Sequence, residues 1–120
     1  MTPFGEKLRS MRLERGISQK EMAESLKISS AYLSALEHGY RGKPTWALLQ
    51  RIIGYFNIIW DEAEELQLSA ALSHPRVVID TAGLDPKATL LANLLAEKIQ
   101  NFDEADLDRI IDQVKSAPSK

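Results

Sequence analysis

The 120-residue chain contains no cysteine and only two histidines, so several kinds of chemical site are missing. Without cysteine there is no disulfide framework, thiol nucleophile or thiolate metal site. His38 and His74 lie far apart in the sequence, and neither has metal-ligand spacing with a second histidine. No glycine-rich phosphate loop or G-x-S-x-G pattern occurs. We therefore expect a protein that is not an enzyme, with no metal site and no cofactor.

Long apolar runs are also missing. No stretch of 18 or more apolar residues occurs, so the sequence predicts no membrane span. The N-terminus lacks the charged, apolar and small-residue regions of a signal peptide. The apolar residues make up 44% of the chain, which is enough for a buried core in about one domain. These features predict a cytoplasmic protein.

Positive charge is concentrated in the first half of the chain. Residues 1–56 contain nine Lys or Arg and five Asp or Glu, a net charge of +4. Residues 57–120 contain six Lys or Arg and twelve Asp or Glu, a net charge of −6. Such an asymmetry suggests one surface for a polyanion and another for a different partner. Chance variation between two solvated surfaces explains the charges equally well.

The most informative stretch is Ile17–Gly39, which predicts two short helices joined by a tight turn. Ser18 is a good N-cap and Glu21, three residues later, completes a capping box. Ser29 caps the second helix in the same way. Apolar residues form one stripe on each helix: Met22, Ala23, Leu26, Ile28, Leu33 and Leu36. Helices this short need a scaffold, because each buries only one stripe.

The flanking residues predict that scaffold. Thr2-Pro3 opens a first helix that ends at Gly16, with Lys7, Arg9, Arg12 and Arg15 mostly off its buried face. Thr45 starts a fourth helix over Trp46–Phe56. Asp61 and Glu64 predict a capping box for a fifth helix, which ends at about Ser73 before Pro75. Trp46 and Trp60 are interpreted as core residues that flank the fourth helix.

A change of character follows Pro75. Residues 76–80 (Arg-Val-Val-Ile-Asp) are the one strand-like segment, so they form a loop packed on the core or pair with another copy of the chain. Asp85 and Asp103 cap a sixth and a seventh helix, and the short connection predicts an antiparallel helical hairpin. The predicted domains are residues 1–74 and residues 75–120.

The paired helices resemble the helix-turn-helix of the phage-repressor, Cro and xenobiotic-response-element (XRE) family over residues 3–60. The resemblance depends on Gln19, on Ala23 where two helices cross, on Ile28-Ser29 in the turn and on Glu37–Gly39. It implies an all-α fold, in which a five-helix lambda-repressor-like domain precedes the extended segment and the hairpin. Lys27 departs from the family, which usually has glycine in the turn, so Lys27 needs a positive φ or a different turn.

The family resemblance implies double-stranded DNA as the ligand, with Ser30–His38 as the recognition helix in the major groove. Ser30, Ala31, Ser34 and Ala35 then occupy base-facing positions, and Gln19 faces a phosphate or supports a base contact. The full predicted DNA-binding set is Gln19, Ser29, Ser30, Ala31, Tyr32, Ser34, Ala35, His38, Tyr40, Arg41 and Lys43. The alternatives are surface packing for the tyrosines and simple capping for Ser30 and Gln19.

The second half is too apolar to be a solvated tail, so we expect it to bind a partner. The first hypothesis is a homodimeric transcriptional repressor that occupies its operator. The residues assigned to dimerisation are Val77, Val78, Ile79, Leu91, Leu94, Leu95, Ile110 and Ile111. The alternative is an antitoxin-like or adaptor protein whose acidic C-terminal half binds a different protein.

Overall fold

The computed structural model describes residues 1–118, and these residues form an all-α protein. The predicted fold class is confirmed. Within the described residues there are seven α-helices and no β-strand. The helices are α1 (Pro3–Glu14), α2 (Gln19–Leu26), α3 (Ser30–His38), α4 (Trp46–Phe56), α5 (Trp60–Ala71), α6 (Pro86–Lys98) and α7 (Glu104–Ser116). A short 3-10 turn, Ile99–Asn101, follows α6.

Side-chain caps start four of the first five helices where the sequence predicts them. Thr2, Ser18, Ser29 and Thr45 each accept a hydrogen bond from the backbone amide three residues later. Such caps satisfy amides that have no partner inside the helix. The capping box predicted at Ser18 is only half formed, because the Glu21 carboxylate accepts from the Ser18 hydroxyl at 3.2 Å and not from the Ser18 backbone amide.

The core lies entirely within the first compact unit, Met1–Val77, which we call the N-terminal unit. The five helices α1 to α5 pack their apolar stripes together there, because helices this short cannot bury those stripes alone. The buried apolar residues are Phe4, Leu8, Met11, Met22, Ala23, Leu26, Leu33, Leu36, Leu48, Leu49, Ile52, Phe56, Ile58, Leu66 and Ala70.

Two small residues let the helices approach closely. Ala23 is buried, as the predicted helix crossing requires. Gly5 has a stricter requirement, because a Cβ atom there would lie 2.3 Å from the backbone oxygen of Leu36. No heavy atoms approach so closely without repulsion, so α1 packs on α3 through a glycine.

The interpretation of the two tryptophans as core residues is wrong. Trp46 is 74% exposed and Trp60 is 82% exposed. Each is the first residue of its helix, and Trp60 has a left-handed backbone with φ +55°. Helix side chains lean toward the N-terminus, and no helical turn precedes either residue.

The predicted capping box at the start of α5 is also wrong. The helix begins at Trp60, and the N-cap residue Ile59 makes no side-chain capping bond. Asp61 and Glu62 lie in the first helical turn, where a negative charge favours the positive end of the helix dipole.

The end of α5 closes the N-terminal unit back onto its beginning. The buried Ser73 hydroxyl accepts a hydrogen bond of 2.9 Å from the amide of Phe4 and donates to the Ser69 carbonyl. Lys7 and Glu65 add a partly exposed ion pair of 2.9 Å between α1 and α5. These bonds fix α5 beside α1.

The second compact unit begins at Val78 and contains α6 and α7; we call it the C-terminal unit. The domain boundary predicted between residues 74 and 75 stays a prediction, and the last two residues of the predicted second domain lie outside the described residues. No residue of this unit is buried within the range 78–118. Few close backbone contacts join α6 to α7, so the antiparallel hairpin stays a prediction.

The strand-like segment, residues 76–80, forms neither a helix nor a strand. It is not a loop packed on the core, because Val77, Val78 and Ile79 are 72%, 92% and 60% exposed. Pairing with another copy stays a prediction. No helix within residues 1–118 has the length and apolar content needed to cross a membrane.

Candidate nucleic-acid interface

The turn between α2 and α3 is made by a non-glycine residue. Lys27 adopts φ +60° and ψ +42°, the left-handed conformation that glycine adopts without strain. The amide of Ile28 then bonds the Ala23 carbonyl at 3.0 Å, which closes the C-terminus of α2. The positive φ predicted as one of two possibilities for Lys27 is thus present, and it directs the chain into the cap of α3.

A buried ion pair holds α3 to α1. The Arg12 guanidinium donates from Nε to Glu37 Oε2 at 2.8 Å and from a terminal nitrogen to Oε1 at 3.0 Å. Its other terminal nitrogen donates to the Ile17 carbonyl at 2.9 Å, so Arg12 also fixes the loop before α2. Both residues are buried, and the hydrogen bonds with Glu37 raise the pKa of Arg12. The placement of Arg12 off the buried face is therefore wrong.

The Gln19 side chain joins this buried pair. Its amide nitrogen donates to Glu37 Oε1 at 3.1 Å, and the residue is only half-exposed. The bond connects the first residue of α2 to the last turn of α3. In this position Gln19 braces α3, and its predicted role at a phosphate or beside a base stays a prediction.

The predicted base-facing residues lie on the open side of α3. Ser29, Ser30 and Ala31 are exposed, whereas Ser34 and Ala35 are half-exposed. Glu37 is the one carboxylate on α3, and it is completely buried. The open side of α3 therefore presents no negative charge to an approaching ligand.

The predicted aromatic residues have different environments. Tyr32 is half-buried and packs against the core, which agrees with the packing alternative. Tyr40 is 82% exposed, and its ring stacks on His38 with 6.3 Å between ring centroids. The Nδ1 atom of His38 lies 2.8 Å from the Ser34 carbonyl oxygen, so this nitrogen carries the proton and Nε2 is left for another partner.

The loop after α3 is fixed by backbone contacts. The amides of Tyr40 and Arg41 both donate to the Ala35 carbonyl, at 2.9 and 3.2 Å. At Gly42 a Cβ atom would lie 2.3 Å from the ring of Pro75, so the loop lies directly against the chain that follows α5. The exposed cations Arg41 and Lys43 are thereby held close to the end of α3.

A concavity of about 440 Å³ lies between the loop and α3. Its lining combines helix-cap, methyl, phenol and guanidinium groups, from Ser29, Ala31, Tyr32, Ala35 and Arg41. All five belong to the predicted DNA-binding set. Five of the eleven predicted residues therefore surround one open depression.

No candidate metal site is present in the described part of the chain. Within residues 1–118, no three histidine or acidic side chains lie together in a way that would hold a metal ion. The ion pair between Arg12 and Glu37 was not predicted from the sequence. The two residues lie 25 positions apart on different helices. The signal that could have indicated this pair is Glu37, the one acidic residue of α3.

Comparison with known proteins decides the family. The sequence matches the family described as the helix-turn-helix domain over residues 5–62, which include α2 to α4 and all of α1 except Pro3 and Phe4. Residues 5–62 are a helix-turn-helix domain of the XRE type. The resemblance predicted over residues 3–60 is confirmed.

The curated relatives that match part of this chain are named as transcriptional regulators and come from bacteria. An uncharacterized HTH-type transcriptional regulator, RghRB of Bacillus subtilis, is 32% identical over 74 residues, which is 62% of this chain and 50% of RghRB. The HTH-type transcriptional regulator RamB of Mycobacterium tuberculosis is 42% identical over 57 residues, which is 48% of this chain and 12% of RamB. The chain thus spans half or less of the length of these relatives.

Proposed function

We propose that this helix-turn-helix protein is a cytoplasmic DNA-binding transcriptional regulator that represses by occupying its operator as a homodimer. The observation that carries the proposal is the electrostatic state of α3. Its one carboxylate is buried and neutralised by Arg12, and its open side is bordered by Arg41, with the exposed Lys43 two residues further along the same loop. A helix that exposes no carboxylate and lies next to cationic side chains suits a DNA groove, whose edges are lined by phosphates.

We expect contacts with the DNA phosphates to supply most of the affinity for DNA. The hydrogen-bond donors next to the open side of α3 are Arg41, Lys43 and His38. Sequence preference comes from the side chains of Ser30, Ala31, Ser34 and Ala35. Strong base discrimination usually uses a bidentate Arg, Asn or Gln, with about 1–3 kcal/mol for each pair. The Gln19 amide is bonded to Glu37. We therefore expect modest direct readout, assisted by DNA shape.

Selection of bound duplexes from a random DNA pool tests the proposal. A dimer of helix-turn-helix units should enrich a palindrome with half-sites one DNA turn apart, about 34 Å. Binding of the enriched site should weaken steeply between low and moderate salt, since bound counterions are released. No enrichment, or an affinity that does not change with salt, would contradict DNA binding.

Arg41→Ala resolves how the loop contributes. If Arg41 contacts phosphate, the substitution weakens binding to all sequences alike and reduces the salt slope by about one unit. If Arg41 enters a groove, one position of the enriched site loses its preference. Lys87→Ala removes the same charge from a residue outside the helix-turn-helix domain and should leave both quantities unchanged.

Repression is tested by in vitro transcription from a promoter that contains the enriched site. Added protein should reduce the transcript in proportion to operator occupancy. An increase in transcript at the same occupancy would identify an activator, and DNA binding would still stand.

A second candidate function follows from the C-terminal unit, whose apolar residues are unburied within the described range. An adaptor or antitoxin-like protein would cover them with a different protein. Sedimentation of the purified chain decides between the two: a dimer at tens of micromolar supports the homodimer. A monomer that elutes with one stoichiometric partner after affinity purification supports the adaptor.

A further inference from the structure

The segment Arg76–Asp80 has unused hydrogen-bonding groups and unused charges. Within residues 1–118, no protein hydrogen bond reaches its backbone amides or carbonyls. Arg76 makes no ion pair in the same range, and Asp80 uses only Oδ1, which accepts from the Ala82 amide at 2.9 Å. Unpaired strand-like backbone is a template for pairing with another chain.

The sequence of the segment is complementary to itself when reversed. It reads cation, three β-branched residues, anion, with Val78 at its centre. We propose that two copies of this chain pair antiparallel through Arg76–Asp80, with Val78 opposite Val78 of the second copy. Arg76 then lies opposite Asp80 of the second copy, and the same ion pair forms again on the other side of the two-fold axis.

The charges select this register over its neighbours. A shift of one residue removes both ion pairs, and it moves the apolar side chains to the other face of the ribbon. With Val78 central, Val77 pairs with Ile79 of the second copy on one face. The Val78 pair and the two ion pairs lie on the other face.

This inference rests on the proposed homodimer and adds its register. A two-stranded ribbon of five residues is marginal in water on its own. The exposed apolar side chains of α6 and α7 must therefore supply most of the affinity, and the ribbon fixes the alignment of the two copies.

Cysteine cross-linking tests the register, since the chain has no cysteine of its own. Opposed Cα atoms lie about 4.5–5.5 Å apart in an antiparallel pair, within disulfide range, and diagonal ones about 7–8 Å apart. Val78→Cys should give a disulfide-linked dimer under mild oxidation. Val77→Cys and Ile79→Cys should each cross-link far less alone, and a mixture of the two proteins should form the mixed dimer.

Charge reversal tests the ion pairs separately. Arg76→Asp or Asp80→Arg puts like charges opposite each other and should weaken the dimer several-fold, about 3- to 10-fold. The double variant, Arg76→Asp with Asp80→Arg, should restore the dimer. All substituted side chains are exposed, so circular dichroism should show an unchanged fold.

The outcomes separate the two proposals. A sedimenting dimer with Val78-specific cross-linking and charge-reversal rescue supports the ribbon. A dimer in which all three cysteine variants cross-link equally, or in which the double variant stays weakened, overturns the ribbon and leaves the homodimer in place. A monomer at tens of micromolar overturns both.

Discussion

The N-terminal and C-terminal units differ in how they bury apolar side chains. The N-terminal unit buries fifteen apolar residues, whereas residues 78–118 bury none, although they include Leu90, Leu91, Leu94, Ile99 and Ile111. Exposed apolar surface of this kind marks an interface. The difference shows that one unit contains its own core, and it is the basis for the proposal that the other is covered by a partner.

The largest expected effect is a loss of stability, and it tests whether the N-terminal unit is held together by its own buried contacts. Arg12→Ala leaves the Glu37 carboxylate buried without its partner, which should reduce the free energy of unfolding by about 3–5 kcal/mol. Urea unfolding followed by circular dichroism at 222 nm measures this loss. The double variant, Arg12→Met with Glu37→Met, removes both charges and should recover most of it, since well-packed apolar replacements are often neutral. A loss below 1 kcal/mol in the single variant would contradict the buried pair.

The next effect tests where the partner binds, with two leucines of equal exposure. Leu91 on α6 is 58% exposed and Leu68 on α5 is 57% exposed. Leu91→Asp should weaken the homodimer by about 2 kcal/mol in each copy, on the order of a thousandfold in total. Sedimentation equilibrium should show no change for Leu68→Asp. Equal weakening by both would remove the distinction between the units.

A smaller effect tests the close helix contact with two glycines. Gly5→Ala places a Cβ against the Leu36 carbonyl and should destabilise the protein by about 1–3 kcal/mol. Gly54→Ala meets nothing within 4 Å, lies inside α4 and should stabilise the protein by about 0.5–1 kcal/mol. Thermal unfolding measures both. If Gly54→Ala destabilises the protein, the space around each glycine does not determine the stability change on substitution by alanine.

The smallest effect tests the turn of the helix-turn-helix. Lys27→Gly relieves the left-handed strain but adds freedom to the unfolded chain, so a net stabilisation of about 0.5 kcal/mol is expected. Asn57→Gly, at φ +54°, should change stability less, because asparagine tolerates this conformation better. Urea midpoints for the two variants give the comparison. A larger gain at Asn57 would argue against strain at Lys27.

Local patterns predicted the helices and all of their caps except that of α5, because each cap depends on residues two or three positions apart. Contacts between distant helices were not predictable in this way: Arg12 reads as an exposed cation until Glu37 lies above it. Trp46 and Trp60 were interpreted as core residues from their hydrophobicity alone, although both lie at helix starts and are exposed. The positions of the DNA-binding residues followed from the family resemblance, and their contacts with DNA stay predictions.

The double hydrogen bond at the Ala35 carbonyl has a consequence for how new binding preferences arise. Both bonds, to the amides of Tyr40 and Arg41, join backbone to backbone. They do not depend on which side chains α3 presents. Mutations at Ala31, Ser34 or Ala35 are therefore expected to change the recognised sequence without displacing the loop. Under the proposed function, the backbone framework is thus independent of the base-facing side chains, and a few substitutions on α3 would suffice for a new DNA preference.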